Sequence, residues 1–213
     1  MIKKAAFIDG RNFKYATYDS LGIKVDFKKL LDILSAGAYL IRAYYYSGIW
    51  TEESIRAFIR LRQKDEGRIN LNLIDSHQEE IRNDLFNEYM EKRRKDLDFL
   101  RFLNRTGYYV VTKPVRVYRD YLTGEIAIKA DLDIEIVLDM IKLADYCDEI
   151  VLVSGDGDFI PVVKELQGRG VRVIVMTTLS KEAQNRGYKA SEELIDTADE
   201  FIELEELRNK ISR

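Results

Sequence analysis

The 213-residue chain is poor in the residues that carry most enzyme chemistry: it has one cysteine, one histidine, two prolines and one tryptophan. A lone Cys147 excludes an intramolecular disulfide and a cysteine zinc cluster. A lone His77 excludes a polyhistidine metal site, and a Ser-His-Asp triad would need His77 itself. No apolar run approaches the roughly 18 residues of a membrane span, and Met-Ile-Lys-Lys leads straight into strand-like sequence with no signal-peptide pattern, so a cytoplasmic protein without membrane association is expected. Neither a P-loop nor a Gly-x-Gly-x-x-Gly fingerprint occurs, which argues against a nucleoside triphosphatase or a dinucleotide enzyme. The chemistry that remains rests on carboxylates.

Charge is plentiful and nearly balanced, 34 Lys+Arg against 37 Asp+Glu, but it is segregated. Residues 91–119 hold nine basic and three acidic side chains, and residues 192–206 hold eight acidic and no basic ones. A net charge of −3 therefore does not exclude an anionic polymer as partner. The basic stretch is interleaved with Phe99, Phe102, Tyr108, Tyr109 and Tyr118, which suits a nucleic-acid groove and a solvated helix face about equally. The acidic stretch reads as solvated surface or a partner contact.

Periodicity predicts an α/β fold in one domain over residues 1–213. Lys3 to Asp9 is a short apolar strand. Asp26 caps a helix that Gly37 stops, and Ala38 to Tyr46 is a second strand in which Tyr44, Tyr45 and Tyr46 alternate faces. A helical excursion follows over about 51–106, with Ile81, Leu85, Met90, Leu97, Leu100 and Leu103 on one face. Tyr108 to Tyr118 and Glu125 to Ile128 flank a turn and predict a hairpin. A helix is expected over Ala130 to Tyr146, its buried stripe formed by Ile134, Val137, Leu138, Ile141, Leu143 and Ala144. The strand Glu149 to Val153, a Ser-Gly-Asp-Gly-Asp turn, a helix over Phe159 to Gln167 and a strand over Val171 to Met176 make a second βαβ unit, and Phe201 to Leu204 adds a last strand. His77 reads as solvent-facing and Cys147 as a small buried side chain.

Such a sheet gathers the loops at its strand C-termini. Asp9 ends the first strand, Asp156 and Asp158 follow the Glu149–Val153 strand, and Asp131 and Asp133 open the helix after the hairpin. Carboxylates brought together there would repel unless a hard divalent cation, Mg²⁺ or Mn²⁺, lay between them, and a phosphate ester is the natural substrate of such a site.

The blocks Ile8-Asp9-Gly10-Arg11-Asn12, Lys129-Ala-Asp-Leu-Asp133 with Asp139, Val153-Ser-Gly-Asp-Gly-Asp-Phe159 and Ala198-Asp199-Glu-Phe-Ile202 together resemble the NYN domain, specifically its LabA-like branch within the PIN-like nuclease superfamily. The resemblance implies a Rossmann-like three-layer sandwich with a mostly parallel central sheet. It implies a metal-dependent ribonuclease site in which Asp9, Asp133, Asp156 and Asp158 hold Mg²⁺ or Mn²⁺ and act in catalysis. Asn12 would support Asp9 or touch substrate, Ser154 would orient the acidic turn, and Lys129 would approach a substrate phosphate. Asp131 falls where the family varies and is the weaker ligand candidate. RNA, single-stranded or structured, is the implied partner, and a homodimer is compatible with the resemblance. Two alternatives share part of the pattern. One is an RNA-binding or regulatory module with little turnover. The other is a haloacid-dehalogenase-type phosphatase, which needs a second Asp where this chain has Arg11.

Overall fold

The computed structural model describes residues 1–65 and 76–213; side chains are described outside 64–78. The expected helical excursion is therefore seen except over 66–75, and the reading of His77 as solvent-facing lies outside the described side chains.

Two compact units emerge from the contacts: residues 1–47, 103–111 and 132–213 form the first, and residues 48–102 and 112–131 the second. The first is built on a six-stranded sheet. Its strands are β1 (Lys3–Asp9), β2 (Tyr39–Ile49), β3 (Tyr108–Pro114), β6 (Glu149–Val153), β7 (Arg172–Thr177) and β8 (Glu200–Glu203), in the order β3-β2-β1-β6-β7-β8. β2, β1, β6, β7 and β8 are paired in parallel, so the mostly parallel sheet of the α/β reading is present. β6 is buried at every position, as a central parallel strand covered on both faces must be. One face of the sheet packs Phe7, Tyr46, Ile150 and Leu152 against α5 (Asp133–Ala144) and α6 (Ile160–Gly168). Elsewhere in this unit α2 (Phe27–Ser35) buries Phe27, Leu30 and Leu34, and the Phe27 ring meets Tyr45 and Tyr108 edge-on. Asp26 caps α2 by accepting from the Lys28 and Lys29 amides, and Gly37 takes φ +71° just beyond its end, as the sequence predicts.

The structure corrects several expectations. The buried positions of α5 are Ile136, Met140 and Ala144, spaced four apart, while Ile134 and Leu138 are 69% and 50% exposed. The helix starts at Asp133 and ends at Ala144, inside the predicted span. Ile81 is likewise exposed. The predicted strand 108–118 is two strands: β3 ends at Pro114, and β4 (Arg116–Arg119) pairs antiparallel with β5 (Ile126–Lys129) in a separate two-stranded sheet. Pro114 has no N–H to continue a ladder. Tyr108 is core rather than a stacking surface: its ring is buried and its hydroxyl donates to the Phe27 carbonyl at 2.8 Å. The acidic 192–206 stretch holds α8 (Glu192–Thr197), with Leu194 buried, and edge strand β8, while Glu192, Glu193, Asp196, Asp199, Glu200 and Glu206 are exposed, as a solvated surface requires. Cys147 is buried, as expected.

In the second unit α3 (Glu52–Asp65) buries Ile55 and Ile59, and the rings of Trp50, Phe58 and Tyr89 meet edge-on or tilted with centroids 5.3–5.9 Å apart. Tyr89 belongs to α4 (Ser76–Thr106), a 31-residue helix. No helix among the described residues is long and apolar enough to cross a membrane.

Candidate metal centre

The site lies at the C-terminal edge of the sheet in the first unit, where β1, β6 and β7 end. One oxygen from each of Asp133, Asp156 and Asp158 can be chosen so that all three lie within 4.8 Å of one another. Two local structures deliver them. Asp133 is in the first turn of α5. Asp156 leaves β6 through Ser154 and Gly155 and caps the short turn Gly157–Phe159, its Oδ1 accepting from the Asp158 N–H at 3.0 Å. Asp158 sits in that turn and is exposed.

Asp9 stands outside the trio. It caps the short helix α1 (Gly10–Lys14), with Oδ1 accepting from the Arg11 and Asn12 amides at 3.1 Å each, while Oδ2 accepts from the Ser154 hydroxyl at 3.3 Å. Burial pushes the Asp9 carboxyl above the ordinary aspartate range; the two amides and Ser154 oppose that rise, and the nearby Asp156 charge adds to it. Asp131 is exposed in the second unit, and its carbonyl accepts from the Lys113 ammonium at 2.7 Å. Lys129 closes β5 in the second unit and is exposed.

Ser154 and Asn12 have sharper roles than their sequence positions suggest. The Ser154 hydroxyl donates to Asp9 and accepts from the Asp156 amide at 3.2 Å, joining the ends of β1 and β6. Asn12 Oδ1 accepts from the Gly155 N–H at 2.9 Å and from the Tyr188 hydroxyl at 2.7 Å. With its one proton given to Asn12, the Tyr188 oxygen accepts from Thr177 Oγ1, 2.7 Å away. Burial of Tyr188 pushes its phenol up to about 12, so it remains a donor at neutral pH. Tyr15 packs edge-on against the same ring at 5.5 Å. Gly155 is the residue this chain of bonds requires: a Cβ there would stand 2.5 Å from the Tyr188 hydroxyl, 2.7 Å from Thr177 Oγ1 and 2.8 Å from Ala190 Cβ. Gly10 is equally confined, since a Cβ would run into the Tyr46 carbonyl. Thr177 and Tyr188 are invisible to sequence reasoning: Tyr188 lies in Arg-Gly-Tyr-Lys with no periodic or motif signal.

The donor set fits a hard divalent cation. It offers carboxylate oxygens only, with no nitrogen or sulfur, and three anionic groups converge within 4.8 Å of one another. Asp139, six residues beyond Asp133, is used differently, accepting from Tyr46 Oη and Lys142 Nζ at 3.0 Å each.

Residues 74–205 match the family model described as NYN domain. That span includes Asp133, Ser154, Asp156 and Asp158 and begins after Asp9 and Asn12. The low amplitude and bright protein LabA of Synechococcus elongatus is 35% identical over 108 residues, 50% of this chain and 54% of that protein, so the chain spans about half the length of the curated relative it matches. A solved structure of a Vibrio parahaemolyticus protein of unknown function aligns over 100% of this chain and 96% of its own with a TM-score of 0.64 at 22% identity, a likeness of fold.

Proposed function

The chain belongs to the NYN domain family of PIN-like nucleases, and from that premise we propose that it is a metal-dependent endoribonuclease. The observation that carries this reading is the convergence of Asp133, Asp156 and Asp158 within 4.8 Å at the sheet edge. In this proposal these three, with Asp9 beside them, hold Mg²⁺ or Mn²⁺ and hydrolyse RNA phosphodiester bonds. A divalent cation bound there supplies charge neutralisation at a phosphoryl group and acidifies water.

The protein's own groups supply positioning. Ser154 spends its only proton on Asp9 and its lone pair on the Asp156 amide, so the β1 and β6 carboxylates keep a fixed separation. Because Asn12 Oδ1 already takes two donors, the amide cannot flip, and its Nδ2, without a partner among the described residues, is a neutral donor for a substrate oxygen. Lys129 is a cation for a phosphate in this reading. Gly155 and Gly157 keep the acidic turn close to Tyr188 and Ser191.

End-labelled RNA incubated with the pure protein tests the reading. Internal cleavage is expected with Mn²⁺, none with EDTA, and only background with Asp156→Asn. Identical products from wild type and variant would overturn it. RNA retained but left intact would favour a binding module, and hydrolysis of a small aryl phosphate in place of RNA would favour a phosphatase.

A further inference from the structure

The β4–β5 hairpin of the second unit carries an unusual side-chain set. Its register pairs Arg116 with Lys129, Val117 with Ile128, Tyr118 with Ala127 and Arg119 with Ile126. Directly opposed residues share a face, so Arg116, Lys129, Tyr118 and Ala127 lie on one side and Val117, Ile128, Arg119 and Ile126 on the other. The first face sets two like charges directly opposite each other, an arrangement that weakens a strand pair. Arg116 and Lys129 are both exposed, and neither has an ion-pair partner among the described residues. Beside them Tyr118 is 40% exposed, and its cross-strand neighbour Ala127 is too small to cover the ring.

The tip has the same character. Tyr121 and Leu122 are 99% and 92% exposed. They are nevertheless held in a well-bonded turn: Asp120 Oδ1 accepts from the Leu122 and Thr123 amides at 2.8 and 3.0 Å, and Asp120 N–H donates to Glu125 O at 2.8 Å. The Arg119 guanidinium donates to Gly124 O, and Gly124 takes φ +72°. A rigid turn that presents an aromatic ring wholly to water, next to an opposed cation pair, matches the two demands of a flexible nucleic-acid strand: stacking surfaces for its bases and positive charge along its backbone.

We propose that this hairpin binds single-stranded RNA, Arg116 and Lys129 contacting phosphates while Tyr118 and Tyr121 stack on bases. Single strands are specified because a duplex keeps its base faces stacked on one another. The choice of RNA over DNA rests on the function proposed above; the binding surface itself does not depend on cleavage.

Fluorescence anisotropy of a labelled single-stranded oligoribonucleotide with the 213-residue chain, in EDTA, tests the proposal. Tyr118→Ala combined with Tyr121→Ala is expected to weaken binding roughly ten-fold or more. Arg116→Ser should weaken it and lower the slope of log affinity against log salt by about 0.7, one phosphate contact on a single strand. Arg94→Ser, a cation engaged with Glu91 on α4, serves as the control for diffuse charge and should bind as wild type. Unchanged thermal melting of the hairpin variants establishes that they fold. Wild-type affinity in both hairpin variants would overturn the proposal, as would an equal loss in Arg94→Ser. So would a wild type that ignores RNA but self-associates through a surface the tyrosine variant abolishes, which would assign the tip to a protein contact. Asp156→Asn should keep hairpin-dependent binding; if cleavage fails in every form while that binding persists, only the nuclease reading falls.

Discussion

The acidic turn after β6 and the basic face of α4 are both charge-dense, yet they satisfy their polar groups in opposite ways. On α4 four cations have local partners: Lys92 pairs with Glu88, Arg94 and Lys95 with Glu91, and Arg101 with Asp98, each three or four residues apart on one helix, while Arg93 donates to the Trp50 carbonyl. At the acidic turn the bonds span the chain, from Ser154 to Asp9, Gly155 to Asn12 and Tyr188 to Asn12. Charge balanced by its helical neighbours needs nothing else and contributes little. Charge of one sign gathered from α5 and the turn after β6, beside a network of long-range hydrogen bonds, is the arrangement expected of a binding site.

If this contrast is sound, the acidic turn should tolerate almost no change of shape. Gly155→Ala puts a methyl group against Tyr188, Thr177 and Ala190 at once, and Tyr188 and Thr177 are buried. A loss of about 1–3 kcal/mol is expected, the usual cost of forcing a methyl into a filled site, measured by chemical denaturation. The same variant should bind Mn²⁺ poorly, since the turn carrying Asp156 has to move. Wild-type stability would mean that the crowding around Gly155 relaxes freely.

A gentler change separates position from packing. Tyr188→Phe keeps the ring against Tyr15 but deletes the hydroxyl that holds Asn12 Oδ1. Asn12 can then turn, and the Gly155 amide loses a fixed acceptor. Removal of groups that orient metal ligands costs roughly 10–100-fold in metal affinity. A loss in that range by Mn²⁺ titration, with melting little altered, is the expected outcome; Thr177→Val should reproduce part of it by removing the donor to Tyr188. Unchanged Mn²⁺ affinity in Tyr188→Phe would show that the long-range bonds stabilise the fold only.

Much of this arrangement is legible in the sequence where the determinants are local. β1 and β6 are found to the residue because each is a short apolar run closed by a turn signal, and α2 is bracketed by Asp26 and Gly37. Asp9, Asp156 and Asp158 are expected near one another because strand ends in a parallel sheet share an edge, and Asp133 is preferred to Asp131 through the family resemblance; Asp133, Asp156 and Asp158 converge, while Asp9 stands outside the trio. What is hidden depends on distant partners. Tyr108 looks like a stacking aromatic among cations, but Phe27, 81 residues away, makes it core. The α5 stripe is only partly legible: Ala144 is buried and Val137, Ile141 and Leu143 pack against the core as expected, but Ile134 and Leu138 face solvent and the sheet selects Ile136 and Met140 instead. Tyr188 and Thr177 carry no local signal at all. The break between β3 and β4 has a local signal, since Pro114 has no N–H with which to continue the ladder towards Tyr118.

Cys147 offers a pH-dependent check on burial in the first unit. Burial pushes its thiol up to about 11, the Asp148 charge adding to the rise. A thiol whose folded value lies above its unfolded one contributes stability that is fully present below the unfolded value and is lost as pH rises through the folded one. Stability should therefore fall from about pH 8.5, the ordinary thiol value, towards about 11, and Cys147→Ala should flatten that part of the profile. Alkylation at pH 8 should be slow in the native protein and fast in denaturant. Rapid native alkylation would place the thiol in contact with solvent.

The smallest expected effect tests the other half of the comparison. Arg94 donates two hydrogen bonds to the Glu91 carboxylate from one turn away, and it also lies 3.8 Å from Asp98. By count it is the best-paired cation on α4, and by exposure it is among the least consequential, since both partners remain in water and salt screens them. Arg94→Ser should leave the melting temperature indistinguishable from wild type at physiological salt, and raising the salt should move both proteins alike. A drop of several degrees would show that local pairing on α4 carries structural weight, and the distinction between charge that is merely solvated and charge that is gathered for a ligand would lose its physical basis.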